Sequence, residues 1–394
     1  MNRQLVAAAP GKLEWRELPL PQPGPDEVLV RSRYGAVKQG TEFSMVKGTA
    51  SRRGPWNEEL RLHDRKAMVL DAMGLETMAV DAMGMDAMAV QAPSGGSETS
   101  AGSSPRSDTS DWVPFPVGNM VSGTVVTVGR EAAGFEPGDQ VFGYAPCSEY
   151  IKIKQDRLWQ LSGGDWKSAL CLDPARFAMA AVRDGGIRLG DTAAVFGLGA
   201  IGLISVRMAK LSGARLVYGI DPVESRRSLA LQMGADDVFS PEEWDVGREL
   251  KLRTGGTGVD VAVELSGSAA ALQECLRGTA FGGTVVCGAF PAPYPPGLDF
   301  GAEAHMNCLT ILFSRAASDP NREHPRWCSD RIETECRLLI DAGLIDGSGI
   351  IDRVVPYDEF KREYEMVMAD PARTIKLGIV FPAAGGPLAE RQHG

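Results

Sequence analysis

Residues 191–221 read DTAAVFGLGAIGLISVRMAKLSGARLVYGID, and this stretch decides the fold. The apolar run at 193–196 is typical of a β-strand, the run at 203–211 of a helix, and the run at 216–220 of a second strand. Between the first strand and the helix lies a glycine-rich turn, Gly197-Leu198-Gly199-Ala200-Ile201-Gly202. A glycine turn in this context of strand, helix and strand predicts a dinucleotide-binding βαβ unit.

Each glycine of the turn has a physical role in that prediction. Gly197 permits the tight turn, Gly199 lets a pyrophosphate approach the backbone, and Gly202 lets the helix pack close to the strand. The free N–H groups and positive dipole end of the helix then face the phosphates. We therefore expect cofactor contacts from Gly197, Leu198, Gly199, Ala200, Ile201 and Gly202.

An acidic residue, Asp221, follows the second strand 19 residues after Gly202. A carboxylate about 20 residues beyond the glycines binds the adenosine ribose hydroxyls and repels a 2′-phosphate, so the pattern favours NAD over NADP. Arg226 and its neighbour Arg227 could soften that preference, or they could belong to a solvated helix face. Ser266 and Gly288 end two later predicted strands, and we expect both near the cofactor.

The composition limits the class of protein. The 394 residues allow two domains, and 44% of them are hydrophobic, so sizeable cores can form. The net charge of −10 argues against non-specific binding to nucleic acid or to anionic membranes. We expect no transmembrane helix and no signal peptide. Seven cysteines without a C-x-x-C pair favour free thiols in a reducing cytoplasm.

The order of patterns along the chain predicts two domains, one of them interrupted. Residues 1–165 have mainly β patterns, including a strand that leads into the predicted loop 38–42, whereas residues 166–315 alternate strands and helices, which predicts a parallel sheet with helices on both faces. Residues 316–394 end in another strand. Within the first region, residues 66–111 contain two methionine-rich decamers and a Ser/Gly-rich tail. We expect a disordered insertion there; a methionine-rich lid is the alternative.

Taken together, the motifs resemble the medium-chain dehydrogenase/reductase family of alcohol-dehydrogenase-like enzymes. The matching stretches include GAVKQGTE, PVGNMVSGTVVTVG, GFEPGDQVF, GVDVAVELSGS and FGGTVVCGAF, beside the glycine turn. The resemblance implies an α/β fold with a GroES-like β-rich catalytic domain at 1–165, a Rossmann domain at 166–315 and a return to the catalytic domain at 316–394. It also implies hydride transfer with a nicotinamide cofactor, and homodimers or homotetramers.

The chain departs from the zinc-dependent members of that family at their metal positions. Gln39 stands where they carry a cysteine, and Asn119 stands where they carry a histidine in a Gly-His-Glu pattern. A later Glu-Pro pair is replaced by Asp173-Pro174. Zinc in proteins prefers thiolate, imidazole and carboxylate ligands, so two amides and one carboxylate make a poor zinc site. The resemblance without these ligands predicts a member that works without zinc.

Side chains must then supply the acid/base chemistry. The resemblance places the catalytic loop at Lys38–Glu42 and gives Thr41 the position of a proton-relaying hydroxyl. Lys38 could polarise the substrate oxygen or act as a general acid, or it could be a surface lysine paired with Glu42. Glu42 is itself a catalytic candidate, which could orient Lys38. Asp173 could bind a substrate hydroxyl or act as a base, or it could only start a helix or form an ion pair. Asn119 suits a polyhydroxylated substrate, or it could orient a loop.

Further substrate contacts are predicted for polar residues that should face the same cleft. Arg176 lies one helical turn after Asp173. His324 and Arg326 either contact the substrate or fix the domain junction. The predicted substrate-binding set is Gln39, Arg176, His324 and Arg326.

These residues predict a zinc-independent, NAD(H)-dependent oxidoreductase that interconverts a secondary alcohol and a ketone on a sugar, cyclitol or polyol. One alternative is an NADPH-dependent quinone or enone reductase, which Asp221 argues against. The other is a non-catalytic nucleotide-binding protein.

Overall fold

The computed structural model describes residues 1–48, 56–57, 59–63, 112–161, 163, 165–291, 293–318 and 320–383. The predicted insertion at 66–111, with its two decamers, lies outside these residues.

The first part of the chain forms antiparallel β-structure around one short helix. A three-stranded sheet has the order β2-β1-β6, and a seven-stranded sheet has the order β10-β8-β7-β3-β18-β17 with β9 also paired to β3. The elements are β1 Asn2–Ala9, β2 Lys12–Leu18, β3 Glu27–Ala36, α1 Gln39–Val46, the two-stranded pair β4 Trp56–Asn57 and β5 Leu62–His63, β6 Phe115–Pro116, β7 Met120–Val128, β8 Gln140–Tyr144, β9 Tyr150–Lys154 and β10 Leu158–Gln160.

The middle of the chain forms a six-stranded parallel sheet of order β13-β12-β11-β14-β15-β16 with helices between its strands. The elements are α2 Trp166–Ala169, α3 Leu172–Asp184, β11 Thr192–Phe196, α4 Ala200–Leu211, β12 Leu216–Ile220, α5 Glu224–Gln232, β13 Asp237–Phe239, α6 Val246–Arg253, β14 Val259–Glu264, α7 Ala269–Gly278, β15 Thr279–Cys287, α8 Glu303–Met306 and β16 Thr310–Phe313.

The end of the chain returns to the first region. It contains α9 Ser329–Asp341, β17 Arg353–Pro356, α10 Phe360–Ala369 and β18 Leu377–Val380. Strand β18 runs antiparallel to β3, with Gly378 opposite Ala36, and parallel to β17. The last strand therefore lies inside the sheet that the first strands began. The domain boundaries at 165 and 315 stay predictions.

Residues 39–46 correct the sequence analysis, which interpreted 38–42 as a loop after β structure. They form helix α1, although Gly40, Thr41 and Ser44 are poor helix formers. Phe43 and Val46 are buried in the core of the β-rich region, and this packing overrides the weak local preference.

The α/β architecture with a β-rich region and a doubly wound parallel sheet is confirmed. All seven cysteines are free thiols. Among the described residues, no helix is long and apolar enough to cross a membrane.

Candidate active site

The glycine turn after β11 has the geometry that a pyrophosphate requires. Gly197 has φ +88°, which other residues rarely adopt, and a Cβ on Gly202 would lie 1.9 Å from the Gly197 carbonyl oxygen. A Cβ on Gly199, by contrast, would meet no protein atom within 4 Å. Helix α4 begins at Ala200, so the unpaired N–H groups of its first turn, which includes Ile201, lie beside this open space. These residues fit a dinucleotide.

Asp221 is buried at the end of β12, beside the same turn. Its carboxylate accepts hydrogen bonds from the backbone N–H of Leu198 at 2.8 Å and of Val223 at 2.9 Å. Arg226 donates to the carbonyl oxygens of Pro371 and Thr374, and its guanidinium lies 3.7 Å from an Asp221 carboxylate oxygen. Arg226 is thus bound to the C-terminal segment and is not part of a freely solvated face.

The carboxyl end of β14 lies beside the same glycine turn. Glu264 is buried, and one of its oxygens accepts hydrogen bonds from the N–H of Ser266 at 2.7 Å, from the Ser266 hydroxyl and from the N–H of Gly267. The other oxygen is buried without a partner among the described residues. Burial raises the pKa of this carboxyl. Ser266 lies directly against Gly197, and Gly288 N–H donates to the Glu264 carbonyl.

Two of the catalytic candidates, Lys38 and Asp173, form a buried ion pair. Asp173 lies in the first turn of α3. Lys38 Nζ donates to Asp173 Oδ1 at 3.1 Å, and the side chains are 9% and 5% exposed. The ammonium also lies 4.4 Å from the centre of the Phe177 ring. Burial lowers the pKa of Lys38, whereas the Asp173 carboxylate opposes this change. A lysine whose pKa is lowered in this way gives up its proton more readily than an exposed lysine does.

Glu42 does not pair with Lys38, so that alternative is wrong. Its two oxygens accept hydrogen bonds from the Tyr364 hydroxyl at 2.7 Å and from the N–H of Gly118 at 2.9 Å. Burial raises the pKa of Glu42. The carboxyl therefore joins α1 to α10 and to the turn before Asn119. Thr41 is half-buried on the first turn of α1.

The residues at the family's metal positions do not form a zinc-type donor set. The Gln39 amide is occupied by the backbone, because Oε1 accepts from Leu377 N–H at 3.0 Å and Nε2 donates to the Thr374 carbonyl. Asp173 holds Lys38. Asn119 is fully buried, and both its amide oxygen and its amide nitrogen lack a partner among the described residues. Across the part of the chain that the structure describes, no group of three or more His, Cys, Asp or Glu side chains could hold a metal ion.

Arg176 lies one turn after Asp173 and connects three elements. It donates to the Tyr144 hydroxyl at 3.0 Å on β8 and to the Ser329 hydroxyl at 2.8 Å on α9. It also lies 3.0 Å from Glu333, close enough for an ion pair although the N–H groups are not aligned for a hydrogen bond. Its terminal nitrogens therefore hold the fold together here, and its role as a substrate ligand stays a prediction.

His324 and Arg326 lie on the exposed segment before α9. Arg326 pairs with Glu323 at 2.7 Å, and Glu323 also binds Arg183 of α3. The arrangement supports the alternative in which this segment fixes a junction, and it brings neither residue into the Lys38–Asp173 pair.

Lys376 was not among the predicted site residues, yet it contacts the backbone directly before Lys38. It is 3% exposed, and its Nζ donates to the Val37 carbonyl at 2.8 Å. The signal in the sequence is a lysine inside the apolar stretch TIKLGIVF at 374–381. A charged residue in such a strand pattern indicates either an exposed edge or a buried functional group.

Comparison with known proteins identifies relatives among the alcohol and sugar dehydrogenases. Residues 200–323 match the family model described as zinc-binding dehydrogenase. The chain is 43% identical over 272 residues to D-guloside 3-dehydrogenase of Escherichia coli (strain K12), covering 68% of this chain and 78% of that protein. It is 29% identical over 388 residues to an alcohol dehydrogenase of Cupriavidus necator, covering 96% and 98%. The structure of 2R,3R-butanediol dehydrogenase from Bacillus subtilis aligns with a TM-score of 0.69 at 18% identity, over 97% of this chain and 100% of that one.

The chain therefore belongs to the medium-chain dehydrogenase/reductase family. It is an NAD(P)-dependent oxidoreductase of the alcohol dehydrogenase type, as the fingerprint and the resemblance predicted.

Proposed function

We propose that this enzyme is a zinc-independent, NAD-linked dehydrogenase that oxidises a secondary alcohol of a sugar or related polyol to a ketone, and that it catalyses the reverse reaction. The observation that carries the proposal is the buried Lys38–Asp173 ion pair. In the proposal, Lys38 is the proton-transferring amine, and its partner Asp173 stands at one of the positions that hold the metal in zinc members of the family.

When bound, NAD supplies the acceptor for the hydride that leaves the carbinol carbon. Side chains of the enzyme accept and return the proton of the substrate hydroxyl. In alcohol oxidation the neutral amine of Lys38 takes the hydroxyl proton, and in ketone reduction the ammonium returns it. Asp173 orients Lys38 by its 3.1 Å hydrogen bond, and Thr41 is the proposed relay between the substrate oxygen and the amine. Burial favours the neutral amine, so oxidation should be fastest above the lowered pKa of Lys38.

The preference for NAD is supported at the end of β12. The Asp221 carboxylate is fixed by two backbone N–H groups and would repel a 2′-phosphate. Arg227 donates to the carbonyl oxygens of Asp221 and Pro222, and Arg226 to those of Pro371 and Thr374. Both guanidinium groups are already engaged with backbone, which reduces their capacity to bind a phosphate.

A sugar substrate is supported by two observations. A relative with 43% identity is named D-guloside 3-dehydrogenase. The buried Asn119 amide can donate and accept hydrogen bonds and has no partner for either among the described residues. A substrate hydroxyl could satisfy both functions of that amide.

The test is a turnover assay of the purified enzyme with NAD or NADP and a panel of glycosides, polyols and simple secondary alcohols, followed at 340 nm. We expect NAD-dependent oxidation of a glycoside or polyol that survives dialysis against a chelator, with no stoichiometric zinc in the protein. One equivalent of tightly held zinc whose removal abolishes turnover would refute the zinc-independent mechanism.

The same assay separates the alternatives. Faster turnover of enones with NADPH than of any polyol with NAD would favour the quinone or enone reductase. Tight nucleotide binding without turnover across the panel would favour a non-catalytic nucleotide-binding protein.

We also propose that the enzyme is a homodimer or homotetramer. Strand β16 is an edge of the parallel sheet, and the Phe313 and Phe281 side chains beside this edge are 74% and 73% exposed. Light scattering should give a multiple of the chain mass, and Phe313→Asp should lower it. A monomeric wild-type enzyme with full activity would contradict the proposal.

A further inference from the structure

Lys38 is bordered by charges from two elements besides its own. Helix α3 contributes Asp173 and Arg176, and the segment before β18 contributes Lys376. On its own element, the nearest acid is Glu42, which is bound to Tyr364 and Gly118. The proposed function uses Lys38 and Asp173, but it leaves Lys376 without a role.

Lys376 is held at a defined place. It precedes β18, which pairs with β3 at Gly378 and Ala36, and its Nζ donates to the Val37 carbonyl at 2.8 Å. Val37 is the residue directly before Lys38. The Lys376 side chain is therefore hydrogen-bonded to the backbone directly before Lys38.

Among the described residues, Lys38 and Arg176 each lie within salt-bridge distance of a carboxylate, whereas Lys376 does not. Asp173 is paired with Lys38 itself, and Arg176 lies 3.0 Å from the carboxylate of Glu333. The hydrogen bond of Lys376 goes to a neutral carbonyl oxygen instead. The charge of Lys376 does act on the Glu42 carboxyl and lowers its pKa, but Glu42 takes its own hydrogen bonds from Tyr364 and Gly118. A buried lysine whose hydrogen bond goes to a carbonyl is costly, so its retention needs a reason.

We propose that Lys376 is a positioning residue for Lys38: it fixes the Val37 carbonyl, directly before Lys38, and places a positive charge near the Lys38 amine. The inference rests on the proposed function for the use of that amine as a base. The electrostatics agree in sign, because Lys376 and Arg176 both lower the pKa of Lys38 while Asp173 raises it.

The experiment measures Lys38 in two ways. The pH profile of kcat/KM for alcohol oxidation reports the catalytic amine, and a ¹³C NMR titration of enzyme labelled at lysine Cε reports the same amine without turnover. The Lys38 resonance is assigned by its loss in Lys38→Met. The variants are Lys376→Gln, Lys376→Arg, which keeps the charge, and Lys361→Gln, which removes an exposed lysine paired with Glu365 on α10.

We expect Lys376→Gln to move both inflections to higher pH by about one pH unit, because the removed charge lies in a poorly solvated region. The rate below the inflection then falls by about tenfold while the alkaline plateau changes little. Lys376→Arg and Lys361→Gln should keep the wild-type inflection. If thermal melting shows that Lys376→Gln does not fold, Lys376→Met, which keeps most of the packing of the stem, takes its place.

A uniform loss of rate with an unmoved inflection would overturn the inference, since it would show a purely structural role. An inflection that moves equally in Lys376→Arg would overturn it as well. Failure of the proposed function is a separate result: Lys38→Met would retain normal turnover, while the NMR titration would still report whether Lys376 acts on Lys38.

Discussion

The glycine turn on the nucleotide side and the Lys38–Asp173 pair on the proposed substrate side are built in opposite ways. On the nucleotide side, one continuous stretch from Gly197 to Asp221 carries the turn, the helix and the acid, and Asp221 binds Leu198 across only 23 positions. On the substrate side, Lys38 meets Asp173 across 135 positions, and Glu42 meets Tyr364 across 322. Backbone shape dominates the first side, and individual side chains dominate the second. Under the proposed function, the family fold keeps its cofactor site while its proton chemistry changes.

The comparison predicts the largest catalytic loss on the substrate side. Lys38→Met removes the proposed base and should lower kcat for alcohol oxidation by about 10²- to 10⁴-fold, while NAD affinity changes little because the glycine turn is untouched. Steady-state kinetics with NAD binding followed by fluorescence measures both.

The matched control for this loss is Lys47→Met, which removes an exposed lysine just after α1. It should keep wild-type kcat. Equal activity of Lys38→Met and Lys47→Met would remove Lys38 from the mechanism and, with it, the contrast between the two sides.

Two glycine substitutions on the nucleotide side should separate a loss of folding stability from a loss of NAD affinity. Gly202→Ala places a methyl group 1.9 Å from the Gly197 carbonyl, so α4 must move and the protein should lose about 1–3 kcal/mol or more of stability. Gly199→Ala meets no protein atom within 4 Å and should melt like wild type, yet bind NAD more weakly. Thermal melting and NAD titration measure the two effects.

Equal melting temperatures for Gly202→Ala and the wild type would contradict the close packing of α4 on the turn. Unchanged NAD affinity in Gly199→Ala would contradict the assignment of the open space to the pyrophosphate.

The same contrast explains what could be predicted from the sequence. The Rossmann unit was predictable, because spacing within 31 residues determines its hydrogen bonds and glycine contacts. The strand, helix and strand expected at 193–196, 203–211 and 216–220 correspond to Thr192–Phe196, Ala200–Leu211 and Leu216–Ile220. Helix α1 was not predictable, since Gly40, Thr41 and Ser44 are poor helix formers, and distant contacts such as the burial of Phe43 and Val46 stabilise it.

The substrate side was predictable as a set of residues but not as a set of pairs. Lys38, Glu42 and Asp173 were all candidates, yet local spacing suggested Lys38 with Glu42, and the structure pairs Lys38 with Asp173. Lys376 was missed by the sequence-based prediction because its hydrogen-bond partner, the Val37 carbonyl, lies 339 positions away in the sequence. Contacts of that kind depend on the register of β18 against β3, which no local pattern encodes.

A smaller effect is expected from substitution of Asp221, the carboxylate proposed to favour NAD over NADP. Asp221→Asn keeps one acceptor oxygen for backbone but removes the repulsion of a 2′-phosphate and weakens ribose binding. The ratio of kcat/KM for NAD over NADP should fall by about 10- to 100-fold, as expected for a charged hydrogen bond. An unchanged ratio would place the discrimination elsewhere. In Arg226→Ala, complete loss of residual NADP turnover would show that Arg226 binds the phosphate.

The smallest effect concerns Glu42, which links the substrate side to the C-terminal helix. Its pKa is raised by burial, so its stabilising contribution is complete below the ordinary glutamate pKa and is lost as the pH rises through the raised value. Glu42→Gln stays neutral at every pH. It should cost about 1 kcal/mol at pH 5, because the hydrogen bonds with Tyr364 and Gly118 are altered.

At pH 8 the wild-type enzyme must carry a buried carboxylate or bind a proton, whereas Glu42→Gln must do neither. The difference in unfolding free energy between the two proteins should therefore shrink or change sign between pH 5 and pH 8. Urea unfolding at both pH values measures it. A difference that stays constant would mean that Glu42 titrates alike in the folded and unfolded chains, and that the Tyr364 and Gly118 hydrogen bonds offset its burial. The substrate side would then tolerate a charge at this position as readily as the nucleotide side tolerates Asp221.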